Sequence, residues 1–239
     1  MNKYTALLFC ALSVLSACRY GHGKHVSGNG HKSSETRNIS GFTGVETHGD
    51  INIIATVGNY SVKVEAEQNL LSYIETVVED GRLKVRIKDG IALYDFDGAT
   101  VYVAAPMLNA FETHGSGNIN GEQTFTAKDK INVGVYGSGD VVLALDCPEV
   151  IAETHGSGNI KLSGQTKDVN SSISGSGDIK AANLKAENVK ATVHGSGNTE
   201  VFASETLNVE VFGSGDVHYQ GEPKISSVVH GSGAVSKMN

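Results

Sequence analysis

The 239-residue chain has no tryptophan, and only 3 prolines, 3 cysteines and 3 methionines. Aromatic residues make up 6% of it, so the broad platforms on which sugars stack are scarce, which weakens a glycan groove without excluding it. Arginine stops at Arg86 and the formal net charge is −7. Nucleic-acid binding needs clustered cations, so that partner class is set aside. Cysteine is too sparse for a disulfide framework. There is no apolar run of the ~20 residues that a spanning helix requires.

Glycine is the exception, at 29 residues, and it is ordered. The phrase Gly-Ser-Gly, followed by Asn or Asp, begins at Gly115, Gly137, Gly156, Gly175, Gly195 and Gly213, and ends as Gly231-Ser232-Gly233-Ala234. The second glycines are Gly117, Gly139, Gly158, Gly177, Gly197, Gly215 and Gly233. First glycines are 22, 19, 19, 20, 18 and 18 residues apart. A fixed period near 20 marks a solenoid in which each repeat adds one layer. Between turns, apolar residues alternate with polar ones, as in Ile160-Lys161-Leu162 and then Val169 and Ile173. These are short period-2 segments that bury nothing alone and share one core when stacked. Helical repeats would need longer runs of helix formers, and a Gly-x-Gly pair interrupts every unit. The expected fold is all-β: a right-handed parallel β-helix, or β-solenoid, with an N-terminal β-rich capping section.

Two positions alternate along the repeats. After the turn come Asn118, Asp140, Asn159, Asp178, Asn198 and Asp216. Stacked coils lie about 4.8 Å apart, so interleaved Asn holds the Asp residues about 9.6 Å apart. Before the turn come His114, Tyr136, His155, Ser174, His194, Phe212 and His230. One coil per unit puts alternate histidines about 9.6 Å apart, too far to share a metal whose ligands sit near 2.1 Å. No metal or cofactor site is expected; the histidines read as an exposed row able to respond to mild acid.

The chain begins with an address. Residues 1–17 read as a signal peptide, with Lys3 as a basic start and an apolar stretch from Ala6 to Ala17. It ends in Leu15-Ser16-Ala17-Cys18, which resembles the bacterial lipobox. That resemblance implies lipidation of Cys18, with diacylglyceryl and palmitate-type chains giving several-chain anchoring. Ordinary secretion with an Ala-type cleavage site is the competing reading. Arg19 follows, not Asp, so an outer-membrane lipoprotein is expected. Cys147 would then have no intramolecular partner. Residues 18–37, rich in Gly, Ser, His and Lys, read as a flexible tether. His22, His25 and His31 there would at most chelate weakly.

Residues 38–239 read as one domain, with a non-repeating capping section over 38–113 and the repeats over 114–239. A hairpin is predicted around Asp80-Gly81, with Leu83, Val85 and Ile87 on one side and Lys84 and Arg86 on the other. A helical turn is predicted within 68–73, and Pro106 ends a strand. The capping section is expected to cover the first coil's open edge.

Phe42-Thr43-Gly44-Val45-Glu46, Asn69-Leu70-Leu71-Ser72-Tyr73-Ile74-Glu75, Val78-Glu79-Asp80-Gly81-Arg82-Leu83-Lys84-Val85 and Ala105-Pro106-Met107-Leu108-Asn109 carry a resemblance. With Gly117-Asn118-Ile119-Asn120 they are similar to the head GIN domain family of Bacteroidetes-type envelope proteins, over about residues 39–236. The resemblance implies an all-β, β-helical fold and export; the family's adhesin label is itself drawn from similarity, and it brings no established activity and no catalytic residues with it.

Enzymatic motifs do not fit. A nucleophile elbow is one Gly-x-Ser-x-Gly turn, whereas here the serine recurs in a different phrase. A phosphate loop needs a following Lys and helix. Asp140, Asp178 and Asp216 recur in register as structural turn residues would, and calcium-binding toxin repeats are denser in acid. The expectation is a non-enzymatic, lipid-anchored envelope protein acting in adhesion toward a protein or glycan. A self-associating structural protein and, less favoured, a β-helix carbohydrate-active enzyme are the alternatives.

Overall fold

In a computed structural model, residues 23–238 are described; the signal peptide, Cys18 and His22 lie outside them. The chain forms β1 (Lys24–Ser27), β2 (Lys32–Arg37), β3 (Gly44–Gly49), β4 (Ile51–Val57), β5 (Ser61–Glu67), a 3₁₀ turn (Leu71–Tyr73), β6 (Ile74–Glu79), β7 (Arg82–Ile87) and β8 (Ile91–Tyr94). It continues through β9 (Ala99–Ala105), β10 (Ala110–Gly115), β11 (Ile119–Thr126), β12 (Lys130–Gly137), β13 (Val141–Gly156), β14 (Ile160–Gly175) and β15 (Ile179–Gly195). The last strands are β16 (Thr199–Gly213), β17 (Val217–Gln220), β18 (Lys224–Gly231) and β19 (Val235–Lys237).

These strands build a β-solenoid of about seven turns. From β13 to β16 each coil is one long strand that pairs in parallel with the coils before and after it, and a Gly-x-Gly turn joins each strand to the next. The inward positions are small or β-branched: Val150, Ala152, Val169, Ile173, Val189, Ala191, Val193, Val209 and Val211 are buried. β-branched side chains suit a pleated strand, and each coil's apolar row closes on its neighbour's.

The Gly-x-Gly turn is the corner. The Gly175 carbonyl accepts hydrogen bonds from Ser196 N (2.9 Å) and Gly197 N (3.2 Å) of the next coil. Gly175 has φ +138°, and a Cβ on Gly177 would run into the Gly158 carbonyl oxygen. Glycine is therefore demanded twice, once for its backbone angle and once for space.

The solenoid begins earlier than the sequence reading placed it. Gly44–Gly49 of β3 pairs residue for residue with Ala110–Gly115 of β10, so Gly49 occupies the corner column. The section 38–113 thus contains one full coil, β3 and β4. Its further strands stack below: β7 in parallel on β3, and β9 in parallel on β4. Pairing then turns antiparallel, β6 on β7 and β5 on β9, followed by β2 on β5. Leu70, Leu71 and Ile74 close the core at this end. The β6–β7 hairpin turns at Asp80 (φ +52°) and Gly81 (φ +76°). At the other end, Ile225, Val228 and Val229 of β18 are exposed.

The tether expected over 18–37 is corrected for its described part. β1 pairs with β8, and β2 with β5. Contacts with residues later in the sequence hold this segment. Glu67, 3% exposed, accepts from Gly30 N, and Arg37 donates to the carbonyls of Ile74 (2.7 Å) and Leu71 (2.9 Å). Composition gave no sign of these distant partners.

The corner makes a graded prediction. Gly177→Ala collides with backbone and should lower unfolding stability by about 3 kcal/mol. Gly49→Ala meets open space and only the strain of φ +80°, for a loss of about 1 kcal/mol. Urea unfolding of both variants checks the order; equal losses would contradict the steric account.

Candidate functional site

Register turns single residues into columns. On the outer face before the corner, His48, His114, Tyr136, His155, Ser174, His194, Phe212 and His230 lie in line. Their rings stack. His48 and His114 have centroids 4.8 Å apart, His114 and Tyr136 4.6 Å, and Tyr136 and His155 5.2 Å. His194 and Phe212 are 4.8 Å apart, and Phe212 and His230 5.1 Å. The repeat reading found this column from His114 onward but missed His48. Its signal was present: Glu46-Thr47-His48-Gly49 repeats as Glu112-Thr113-His114-Gly115 and Glu153-Thr154-His155-Gly156. Two histidines are therefore direct neighbours, contrary to the spacing expected from the later repeats alone.

Two residues before the rings runs a partial carboxylate column, Glu46, Glu112 and Glu153. Glu46 is buried and its Oε1 lies 2.6 Å from His48 Nε2. His114 Nε2 faces Glu46 and Glu112 at 3.9 and 3.7 Å, and it is buried without a hydrogen-bond partner. These three offer a possible ligand set. However, Arg82 pairs with Glu112, and Lys84 Nζ lies 3.9 Å from Glu46 Oε1. Protein cations already balance this pair of carboxylates, so the group reads as an ion-pair cluster. Beside it, burial first, and then the Glu112 and Glu153 charges, raise the Tyr136 pKa.

On the other side of the corner, the Asn/Asp column forms a staircase. Asn52 Oδ1 accepts from Asn118 N, Asn118 Oδ1 from Asp140 N, and Asp140 Oδ1 from Asn159 N, at 2.8–2.9 Å. It runs on through Asn159, Asp178, Asn198 and Asp216 to Ala234 N. The alternation has a further physical reason beyond charge spacing. An Asn above an Asp also donates its Nδ2, as Asn159 does to Asp140 (2.8 Å) and Asn198 to Asp178 (3.3 Å).

Farther from the corner on the ring-bearing face is a shallow polar groove that the motif search did not find. One part, about 340 Å³, is lined by Glu149, Asp168, Asn170, Asn188, Lys190, Thr206 and Asn208. A second, about 300 Å³, shares Lys190 and Asn208 and reaches Glu210 and Ser226. Its amides are pre-set by coil-to-coil bonds: Asn170 Nδ2 to Glu149 Oε1 (2.9 Å), Asn188 Nδ2 to Asp168 Oδ1 (3.0 Å) and Thr206 Oγ1 to Asn188 Oδ1 (2.7 Å). Such a surface offers donors and acceptors at about 4.8 Å intervals along the axis. Cys147 lies apart from both columns. It is buried, donates to the Glu149 carbonyl (3.2 Å), and burial pushes its pKa up, which favours the unreactive thiol.

A family model described as "Putative auto-transporter adhesin, head GIN domain" matches residues 41–223. The crystal structure of a putative adhesin from Bacteroides fragilis is similar with a TM-score of 0.82 at 23% identity, covering 89% of this chain and 100% of that one. A putative lipid binding protein from Parabacteroides distasonis superposes with a TM-score of 0.76 at 23% identity, covering 90% and 100%. A putative adhesin from the same organism does so with a TM-score of 0.72 at 26% identity, again covering 90% and 100%. No curated protein matches this sequence.

The staircase predicts that Asp178 works as an acceptor. Asp178→Asn should stay within about 0.5 kcal/mol of the parent, whereas Asp178→Ala, which strands the Asn198 N–H, should cost about 1–2 kcal/mol. Thermal unfolding at matched pH distinguishes this from a charge-dependent role, in which both variants would lose stability alike.

Proposed function

We propose, from the premise that this chain belongs to the head GIN domain family, that it is a non-enzymatic binding module of the bacterial cell envelope. In this reading Cys18 carries the lipid that holds it to the outer membrane, and the solenoid acts as an adhesin. The observation that carries the reading is the polar groove on the ring-bearing face, lined by Asn170, Asn188, Lys190 and Asn208. Amides and carboxylates fixed in register suit an extended, hydrogen-bonding ligand such as a glycan or a peptide. With few stacking platforms free, recognition rests on hydrogen bonds, and affinity comes from several coils engaged together.

Self-association is the second reading, favoured by the exposed Ile225, Val228 and Val229 on the last coil. A concentration-dependent sedimentation coefficient, abolished by Val228→Lys, would support it over a monomeric adhesin.

Location is the first test. Protease treatment of intact cells should remove the protein while a periplasmic control survives, and Cys18→Ala should move it from the membrane to the soluble fraction. Complete protection in intact cells would overturn the surface role; unchanged membrane association of the variant would overturn the lipid anchor.

A further inference from the structure

The ring column is interrupted once. His48 to His155 stack in series and His194 to His230 stack in series, but Ser174 stands between the two runs, in register with His155 on one side and His194 on the other. Coil spacing puts the two flanking rings about 9.6 Å apart. A ring midway would lie about 4.8 Å from each, within the 4.6–5.2 Å range of the existing stacks.

We propose that this notch is a binding site for one planar aromatic ring, of the phenol type carried by a tyrosine side chain. The walls are already oriented for it. His155 lies within 7° of parallel to Tyr136, and His194 within 3° of parallel to Phe212. Each therefore has one face covered by its stacking partner and the other turned to the gap, and both residues are exposed. The floor is low, because Ser174 and Ser172 are short. Inside each run, by contrast, the rings of His114, Tyr136 and Phe212 are covered on both faces.

The preference for a phenol follows from the one natural example. Tyr136 directs its hydroxyl to Glu153, the residue two before the ring position on the next coil (3.4 Å). For a ring over Ser174 the corresponding residue is Thr192, a hydroxyl able to donate or accept. A flat ring is favoured over a sugar because offset stacking at this spacing is what the column's own rings do. The site does not depend on the envelope role proposed above, since its occupancy is read on purified protein wherever the chain resides in the cell.

The test is NMR of the histidine-labelled chain titrated with p-cresol, the tyrosine side-chain analogue. Ring signals of His155 and His194 should move together while those of His48 and His114 stay in place. Ser174→Tyr fills the notch from within; it should abolish these shifts and raise the melting temperature by about 2–4 °C. Ser174→Ala should keep the shifts, and His194→Ala, which removes one exposed wall, should weaken binding several-fold. Absence of any shift up to the solubility limit of p-cresol would overturn the proposal. So would shifts that persist in folded Ser174→Tyr, or a response to methyl glucoside with none to p-cresol.

Discussion

A glycine carbonyl that accepts two backbone N–H groups from the next coil is the contact on which the rest of the molecule depends. At Gly175 the partners are Ser196 and Gly197. The backbones approach so closely that any side chain on the second glycine would strike the carbonyl of the coil before it. Beside this contact, the Asn/Asp staircase ties each corner to its neighbour a second time, with the side chain of one coil accepting from the backbone of the next. A turn, ordinarily the mobile part of a β-protein, becomes a second line of axial hydrogen bonding.

This corner fixes register, and register creates the surface. Because every coil is clamped at the same place, residues one and three positions before the corner glycine line up from coil to coil. Rings stack on rings, and carboxylates meet amides or the cations of β7. The cap shows what happens where that clamp is absent. Below β3 the chain loses the Gly-x-Gly corner, pairing turns antiparallel, and a 3₁₀ turn brings Leu71 over the core. The same section draws in residues 24–37 through Glu67 and Arg37, so the fold reaches closer to the N-terminus than composition implied.

The architecture was legible because the repeated Gly-x-Gly corners leave no room for a side chain at the second glycine, and a required residue at a fixed interval leaves a visible period. The alternating apolar positions were readable for the same reason. What stayed hidden was the first coil. Its corner is His48-Gly49-Asp50, without the second glycine, and strands β5 to β9 separate it in sequence from its stacking partner. The phrase Glu46-Thr47-His48-Gly49 was the available signal, and it would have revealed the His48–His114 stack. The polar groove was hidden differently: Asn170, Lys190 and Asn208 are ordinary solvent-facing strand residues, and only coil-to-coil alignment makes them a surface. No residue pattern announced that Glu67 would be buried against the segment near Gly30, since that contact joins elements far apart in sequence.

Amide hydrogen exchange at the corners tests the central claim most directly. If the corner is an axial lock, the N–H groups of Asn159, Asn198 and Asp216 will exchange as slowly as those of central strand residues such as Val193 and Val209, despite lying in turns. Exchange at the rate of open surface turns would contradict the account and leave the strand ladders alone to hold the coils together.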